Sequence, residues 1–183
     1  MTAKIIQAAG RVIWITGLSG AGKSSLASEI ALRLRALGDV VVMLDGDELR
    51  EVFCRAPASA DNHSRASRLV LAMQYAHLCR LIAAQGLTVV VATISLYRDV
   101  HAWNRSNLPG YFEVYLKVPL HELRRRDPKG IYRRFDAKEI NDVVGLDLPF
   151  DEPVAPDWVS EFDPQKSAEL MANEFFKVFR RRA

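Results

Sequence analysis

The sequence predicts an α/β protein: a parallel sheet with helices on both faces and a mobile lid over one edge. Three observations predict it. Short apolar runs rich in β-branched residues alternate with stretches of helical periodicity. The runs are apolar throughout, as in strands buried on both faces. A glycine-rich segment, Gly17-Leu18-Ser19-Gly20-Ala21-Gly22-Lys23-Ser24, joins the first run to the first helical stretch.

The elements follow in order. Residues 11–16 (RVIWIT) read as a buried strand ended by Gly17. Residues 23–37 carry Leu26, Ile30, Leu34 and Leu37 at helical spacing, with Gly38 as the stop. Residues 40–44 (VVVML) form a second strand, which runs into Asp45-Gly46-Asp47. Residues 67–84 read as a long helix closed by Gly86, and residues 88–93 (TVVVAT) as a third strand leading to Ser95. Residues 111–118 (YFEVYLKV) are a fourth strand, followed by a short helix over 120–126. Residues 129–150 have weak periodicity and many charges, which suits a lid. Asp163-Pro164 announces a final amphipathic helix over 168–179. Ligands of such sheets bind beyond the carboxyl ends of the strands. Three polar clusters are expected to converge there: residues 17–24, residues 45–47 and Ser95.

Composition narrows the class. The 183 residues fit one domain, with 49% hydrophobic and 26% charged residues, ordinary for a globular protein. A net charge of +3 lacks the strong bias of a nucleic-acid binder. No apolar stretch approaches the ~18–20 residues of a membrane span. The opening MTAKIIQAAG leads into the first strand rather than reading as a signal peptide. Cys54 and Cys79 have neither metal-ligand spacing nor a disulfide framework around them, so a reducing cytoplasm is the expected setting.

Residues 17–24 fit G-x-x-x-x-G-K-[ST] in full, which makes the predicted sheet a P-loop NTPase type. Glycines let successive N–H groups turn inward onto phosphate oxygens, and the following helix adds the positive end of its dipole. Gly17, Ser19, Gly20, Ala21, Gly22, Lys23, Ser24 and Ser25 are thus the expected ATP site, with Lys23 on the β- and γ-phosphates and Ser24 on Mg²⁺. A chance glycine turn is the competing account, and the strand before and the helix after disfavour it. The loop alone leaves kinase, GTPase and ATPase open. No N/T-K-x-D base-reading motif of a GTPase occurs. Asp45, at the end of the second strand, can accept a hydroxyl proton or orient Mg²⁺ waters. A pair of aspartates in a tight turn would look the same without the phosphate loop beside it.

The segments GLSGAGKSS, DGDELR, ISLYR, RDPKGIYRR and GLDLPF-EP occur in the order found in adenylylsulfate (APS) kinases, and the chain resembles that family over residues 12–157. The DPKG-Y segment (Asp127, Pro128, Lys129, Gly130, Tyr132) is the most specific of them. The resemblance implies transfer of the ATP γ-phosphoryl group, with Mg²⁺, to the ribose 3′-hydroxyl of a small nucleotide acceptor. It implies Lys23 and Asp45 as catalytic groups, and Ser24 and Asp45 at the metal. It places Asp47, Arg50, His63, Arg68, Ser95 and Lys129 on the acceptor, and Arg133, Arg134 and Lys138 on the lid. It also suggests a homodimer and no nucleic-acid or membrane partner.

The acceptor half departs from the family pattern. Glu48 stands where the family has Asn, and His63 where it has Phe. Leu71, Ala72, Met73 and Gln74 replace Asn-Ile-Arg-Arg, and Val143-Val144-Gly145 replaces Phe-Thr-Gly. The two aromatic rings that sandwich the acceptor adenine become His63 and Val143, and such stacking is worth ~1–3 kcal/mol per base. Adenylyl sulfate is the family's default acceptor. The alternative is cytidine diphosphoramidate, the substrate of a divergent branch tied to surface-polysaccharide modification, which the HAWNR and VVGLDLPF segments resemble. A nucleotide-gated binding switch is the rival from another class, and it has no need of DPKG-Y.

Other features read blandly: His77, His101 and His121 lack metal partners in sequence, and Trp14 and Trp103 read as packing. Residues 124–126 and 180–182 are solvated arginine runs, among which Arg126 alone lies where it can touch ATP.

Overall fold

The structure is a computed structural model that describes residues 10–54 and 64–181. β1 (Arg11–Thr16), β2 (Val41–Asp45), β3 (Thr88–Ala92), β4 (Phe112–Lys117) and β5 (Trp158–Glu161) form one sheet in the order β2-β3-β1-β4-β5. Every neighbouring pair is parallel. β1 is central because both its faces are apolar: Val12 and Trp14 belong to one core and Ile13 and Ile15 to the other, all without exposed surface. β3 repeats the alternation, with Val89 and Val91 on the first side and Val90 and Ala92 on the second.

Helices cover both faces. α1 (Lys23–Ala36) and α7 (Ala168–Phe179) pack Leu26, Ile30, Leu34, Phe175 and Phe179 onto the Ile13 side. α3 (Arg65–Ala83) and α4 (Arg98–Asn107) pack Leu71, Tyr75, Ala76, Cys79 and Val100 onto the Trp14 side. Each fully buried Leu, Ile or Phe contributes about 1.5–3 kcal/mol. Leu37, expected on the buried face of α1, is its C-cap and lies 63% exposed, because the chain already turns away at Gly38.

Three elements depart from the sequence expectation. The aspartates after β2 open a helix, α2 (Gly46–Phe53), rather than a turn: the Asp45 side chain caps it, accepting from the Asp47 N–H at 2.9 Å. Asp45 followed three residues on by Glu48 was the legible signal. α4 escapes notice because its buried residues are Val100, His101 and Asn104, a face with one apolar member. β5 is a four-residue edge strand whose burial is confined mainly to Ser160. The short helix α5 (Leu120–Arg126) stands as expected, and the lid segment contains a further turn of helix, α6 (Ile131–Asp136).

Chain order reverses direction across β1: the path from β1 reaches β2 on one side, and the path from β3 crosses to β4 on the other. The carboxyl end of β1 is therefore a topological switch point, where such sheets bind their ligands.

Candidate active site

The loop after β1 is shaped by backbone constraints. Gly17 has φ 153°, and a Cβ there would lie 2.8 Å from the Leu116 carbonyl oxygen. Gly22 (φ 93°) is the N-cap of α1, with no side-chain cap and no acidic residue in the first turn. The first N–H groups of α1 are thus left without a side-chain oxygen, at the positive end of the helix dipole, as an anion site requires. The Lys23 ammonium donates to the Leu18 carbonyl at 2.8 Å. Burial, with Lys129 nearby, lowers its pKa to about 8, against the opposing pull of Asp47 and Asp45.

A cavity of about 580 Å³ opens beyond this loop. Ser19, Gly20, Gly22, Lys23, Ser24 and Ser25 line its floor, while Gly17 and the buried Ala21 lie beneath. Asp45, Asp47, Arg50, Arg68, Ser95 and Lys129 all reach the same cavity. The three polar clusters expected at one rim do meet there.

Ser24 and Asp45 meet directly: the serine hydroxyl donates to the Asp45 carboxylate at 2.5 Å. Its other oxygen is fixed by the Asp47 N–H. Two hard oxygen donors beside a phosphate loop fit Mg²⁺, which favours one or two protein oxygens with phosphates and waters over a protein cage. Among the described residues no group of three His, Cys, Asp or Glu forms such a cage. Asp47 and Lys129 form an ion pair across the mouth of the cavity. On the far wall Arg50 and Arg68 are close enough that Arg68 has a lowered pKa, through burial first and Arg50 second. Arg68 also donates to the Asp142 carbonyl at 2.9 Å.

The DPKG-Y segment anchors the lid to the phosphate loop. Asp127 accepts from the N–H groups of Tyr132 (3.1 Å) and Arg133 (2.9 Å). The Tyr132 hydroxyl donates to the Ser19 carbonyl at 2.9 Å. The far end of the lid rests on the same loop: Asp147 accepts from the N–H groups of Asp142 and Val143, and Gly145 sits against Leu18. Both ends of the segment thus sense the loop.

Not every expected residue lines the cavity. Arg133, Arg134 and Lys138 are exposed and do not line the cavity, and Arg134 pairs with Glu139 at 3.4 Å. Arg133 and Arg134 sit on α6 and Lys138 in the turn after it, and all three lie exposed on the lid segment. Val143 is buried off the cavity, and its neighbour Val144 lines it instead. His63 lies outside the described residues.

Among the other cavity residues, Leu71 and Ala72 stand where the family pattern marks the acceptor half, while the sequence reading gives Tyr75, Thr93 and Tyr97 no site role. Leu71, Ala72 and Tyr75 form the α3 wall, with Thr93 and Tyr97 beside them. The Tyr75 hydroxyl donates to the Gly46 carbonyl at 3.2 Å. All three α3 residues sit on the stripe that also serves the core, so helical periodicity could not separate wall from core. Arg126 lines the cavity as suspected, bonded to Glu122 and placed over the Phe162 ring.

A glycine-rich loop that opens an uncapped helix, faced by a carboxylate and two arginines, is the arrangement of a P-loop kinase. Known proteins narrow that class. The sequence pattern of the adenylylsulphate kinase family matches residues 9–161, and this chain belongs to that family. It is an APS kinase-like, ATP-dependent phosphotransferase. It is 40% identical over 157 residues to an adenylyl-sulfate kinase of Paraburkholderia xenovorans, covering 85% of this chain and 86% of that one. It is 37% identical over 144 residues to a cytidine diphosphoramidate kinase of Campylobacter jejuni, covering 79% and 82%. A solved APS kinase of Mycobacterium tuberculosis, in complex with AMPPNP and APS, superposes with a TM-score of 0.83 at 33% identity, covering 94% of this chain and 98% of that one. No helix among the described residues is long and apolar enough to cross a membrane.

Proposed function

We propose that this chain transfers the ATP γ-phosphoryl group to the ribose 3′-hydroxyl of a small nucleotide acceptor, with adenylyl sulfate the acceptor set by the family. The observation that carries the reading is the Asp45 carboxylate, bonded to Ser24 at 2.5 Å and lining the cavity between the phosphate loop and the Arg50–Arg68 wall. Main-chain amides of residues 19–24 hold the β- and γ-phosphates, and Lys23 offsets charge on the transferring group. Ser24 and Asp45 would hold Mg²⁺, which neutralises charge on the phosphate oxygens when bound. Asp45 orients the attacking hydroxyl, and positioning is its main task because a loose transition state needs little base assistance. Arg50 and Arg68 take the charged end of the acceptor. Asp47, Ser95 and Lys129 fix its sugar side, and the segment over residues 129–150 closes to exclude water.

One observation favours a second acceptor. The α3 wall presents buried Leu71 and Ala72 to the cavity, where the family pattern has asparagine and isoleucine. An acceptor bound there loses polar contacts, and the C. jejuni relative named for cytidine diphosphoramidate supports that nucleotide as the alternative. The product would then serve surface-polysaccharide modification rather than sulfate activation.

The test is ADP release from Mg²⁺-ATP with adenylyl sulfate, cytidine diphosphoramidate, CDP or AMP, against a blank without acceptor. Turnover with adenylyl sulfate supports the first reading, and turnover with a cytidine acceptor alone supports the second. ADP release that ignores every acceptor makes the chain a nucleotide-gated switch and ends both.

A further inference from the structure

We propose that His101, outside the cavity, is a positioning residue that holds the Ser95 turn in its acceptor-binding shape. This rests on the reading of the Ser95 rim as the acceptor side. Ser95 has φ 24°, a strained conformation that a residue with a side chain rarely adopts. Three hydrogen bonds maintain it. The Thr93 and Ser95 hydroxyls meet at 2.8 Å. The Tyr97 N–H and the His101 ring both reach the Ser95 carbonyl, each at 3.0 Å.

The histidine bond fixes its own chemistry. A carbonyl only accepts, so Nε2 carries the proton. Nδ1 has no hydrogen-bond partner among the described residues and faces the Glu113 carboxylate at 4.0 Å, too far for a hydrogen bond. Glu113 is itself held by the Tyr111 hydroxyl at 3.0 Å and by Arg105 at 3.1 Å, and Arg105 also grips Asp157 at 2.7 Å. The ring thus projects from α4 between the strained turn and a braced acidic cluster, with its one donor aimed at the turn.

Geometry limits what the histidine can affect. Thr93, Ser95 and Tyr97 all line the cavity. The phosphate loop has its own braces through Tyr132 and Gly145, and it meets the turn only upstream of Ser95, where the Thr16 hydroxyl donates to the Ile94 carbonyl. Loss of the histidine donor therefore acts first on the acceptor rim, while the braces at Ser19 and Leu18 hold the ATP floor.

The experiment compares His101→Leu, which removes the donor, with His101→Gln, whose amide can replace Nε2–H. The expected result for His101→Leu is an acceptor KM raised about tenfold with the ATP KM within about twofold of the parent. His101→Gln should recover most of that loss. Amide hydrogen exchange of residues 93–97 is read in parallel on the acceptor-free proteins. It should quicken at Tyr97 in His101→Leu and stay near the parent rate in His101→Gln. Parent exchange in His101→Leu, or an ATP KM that rises as much as the acceptor KM, overturns the proposal. If His101→Leu does not fold, His101→Asn, with an amide too short to reach Ser95, takes its place in both readouts. A parent enzyme that phosphorylates no acceptor would sink the functional reading, and the exchange comparison would still decide the role of His101.

Discussion

The floor and the far wall of the cleft are made of different material. The floor is main chain: glycines at φ 78° and 93°, an uncapped helix start, and one lysine. The wall is side chain: Leu71, Ala72 and Tyr75 from α3, Arg68 beside them and Arg50 from α2. A backbone cradle is dictated by glycine spacing and tolerates little change. A side-chain wall can be rewritten one residue at a time without disturbing the sheet behind it. The difference explains how one family can keep γ-phosphoryl chemistry while changing its acceptor.

The largest expected effect lies on the floor. Lys23→Ala should lower kcat/KM for ATP about 10³-fold or more, because the site loses its fixed positive charge at the phosphates. A loss below about tenfold in steady-state kinetics would mean that the amides alone carry the floor. Asp45→Asn comes next. Its kcat should fall about 10²-fold with both KM values near the parent's, since the carboxylate acts on the attacking hydroxyl more than on binding. An unchanged kcat removes the role given to Asp45.

The pH profile sharpens the same contrast. The Lys23 pKa of about 8 means that the free enzyme loses this cation as pH rises through that value. kcat/KM for ATP should then fall by up to about tenfold per pH unit. The stability contribution has the opposite sign. Between about 8 in the folded chain and 10.5 unfolded, the unfolded state binds more protons, so the cost of the buried ammonium is relieved as pH rises. A flat kcat/KM from pH 7 to 10 contradicts the assignment. The smallest effect is at the brace between lid and loop. Tyr132→Phe removes one hydrogen bond to Ser19 and should cost about 1 kcal/mol, seen as a lower Tm with a several-fold higher ATP KM. A changed acceptor KM with normal ATP KM would place Tyr132 on the wrong half.

Legibility followed the same division. The limits of β1, α5 and α7 were readable to the residue, because apolar runs and cap signals mark their ends. The phosphate loop was readable because its backbone geometry demands particular residues. α4 was hidden because it buries His101 and Asn104, and polar groups that find partners inside the fold carry no periodic signal. β5 was hidden because an edge strand of four residues needs little apolar surface. The wall was half legible. Arg50, Arg68, Leu71 and Ala72 came from the family pattern, whereas Tyr75 looks like any core-facing residue until the fold shows which end of the helix meets the cavity. The arginines of α6 lie on the lid segment that its charges mark, and the helix leaves them exposed.

The central claim is that a ribose 3′-hydroxyl beside Asp45 receives the phosphoryl group. The most direct measurement is ADP release with the best acceptor of the panel against the same nucleotide lacking only its 3′-hydroxyl. Turnover with the parent acceptor, and release at the blank rate with its 3′-deoxy counterpart, is the predicted result. Equal release from both would contradict it, since the phosphoryl group would then be going elsewhere.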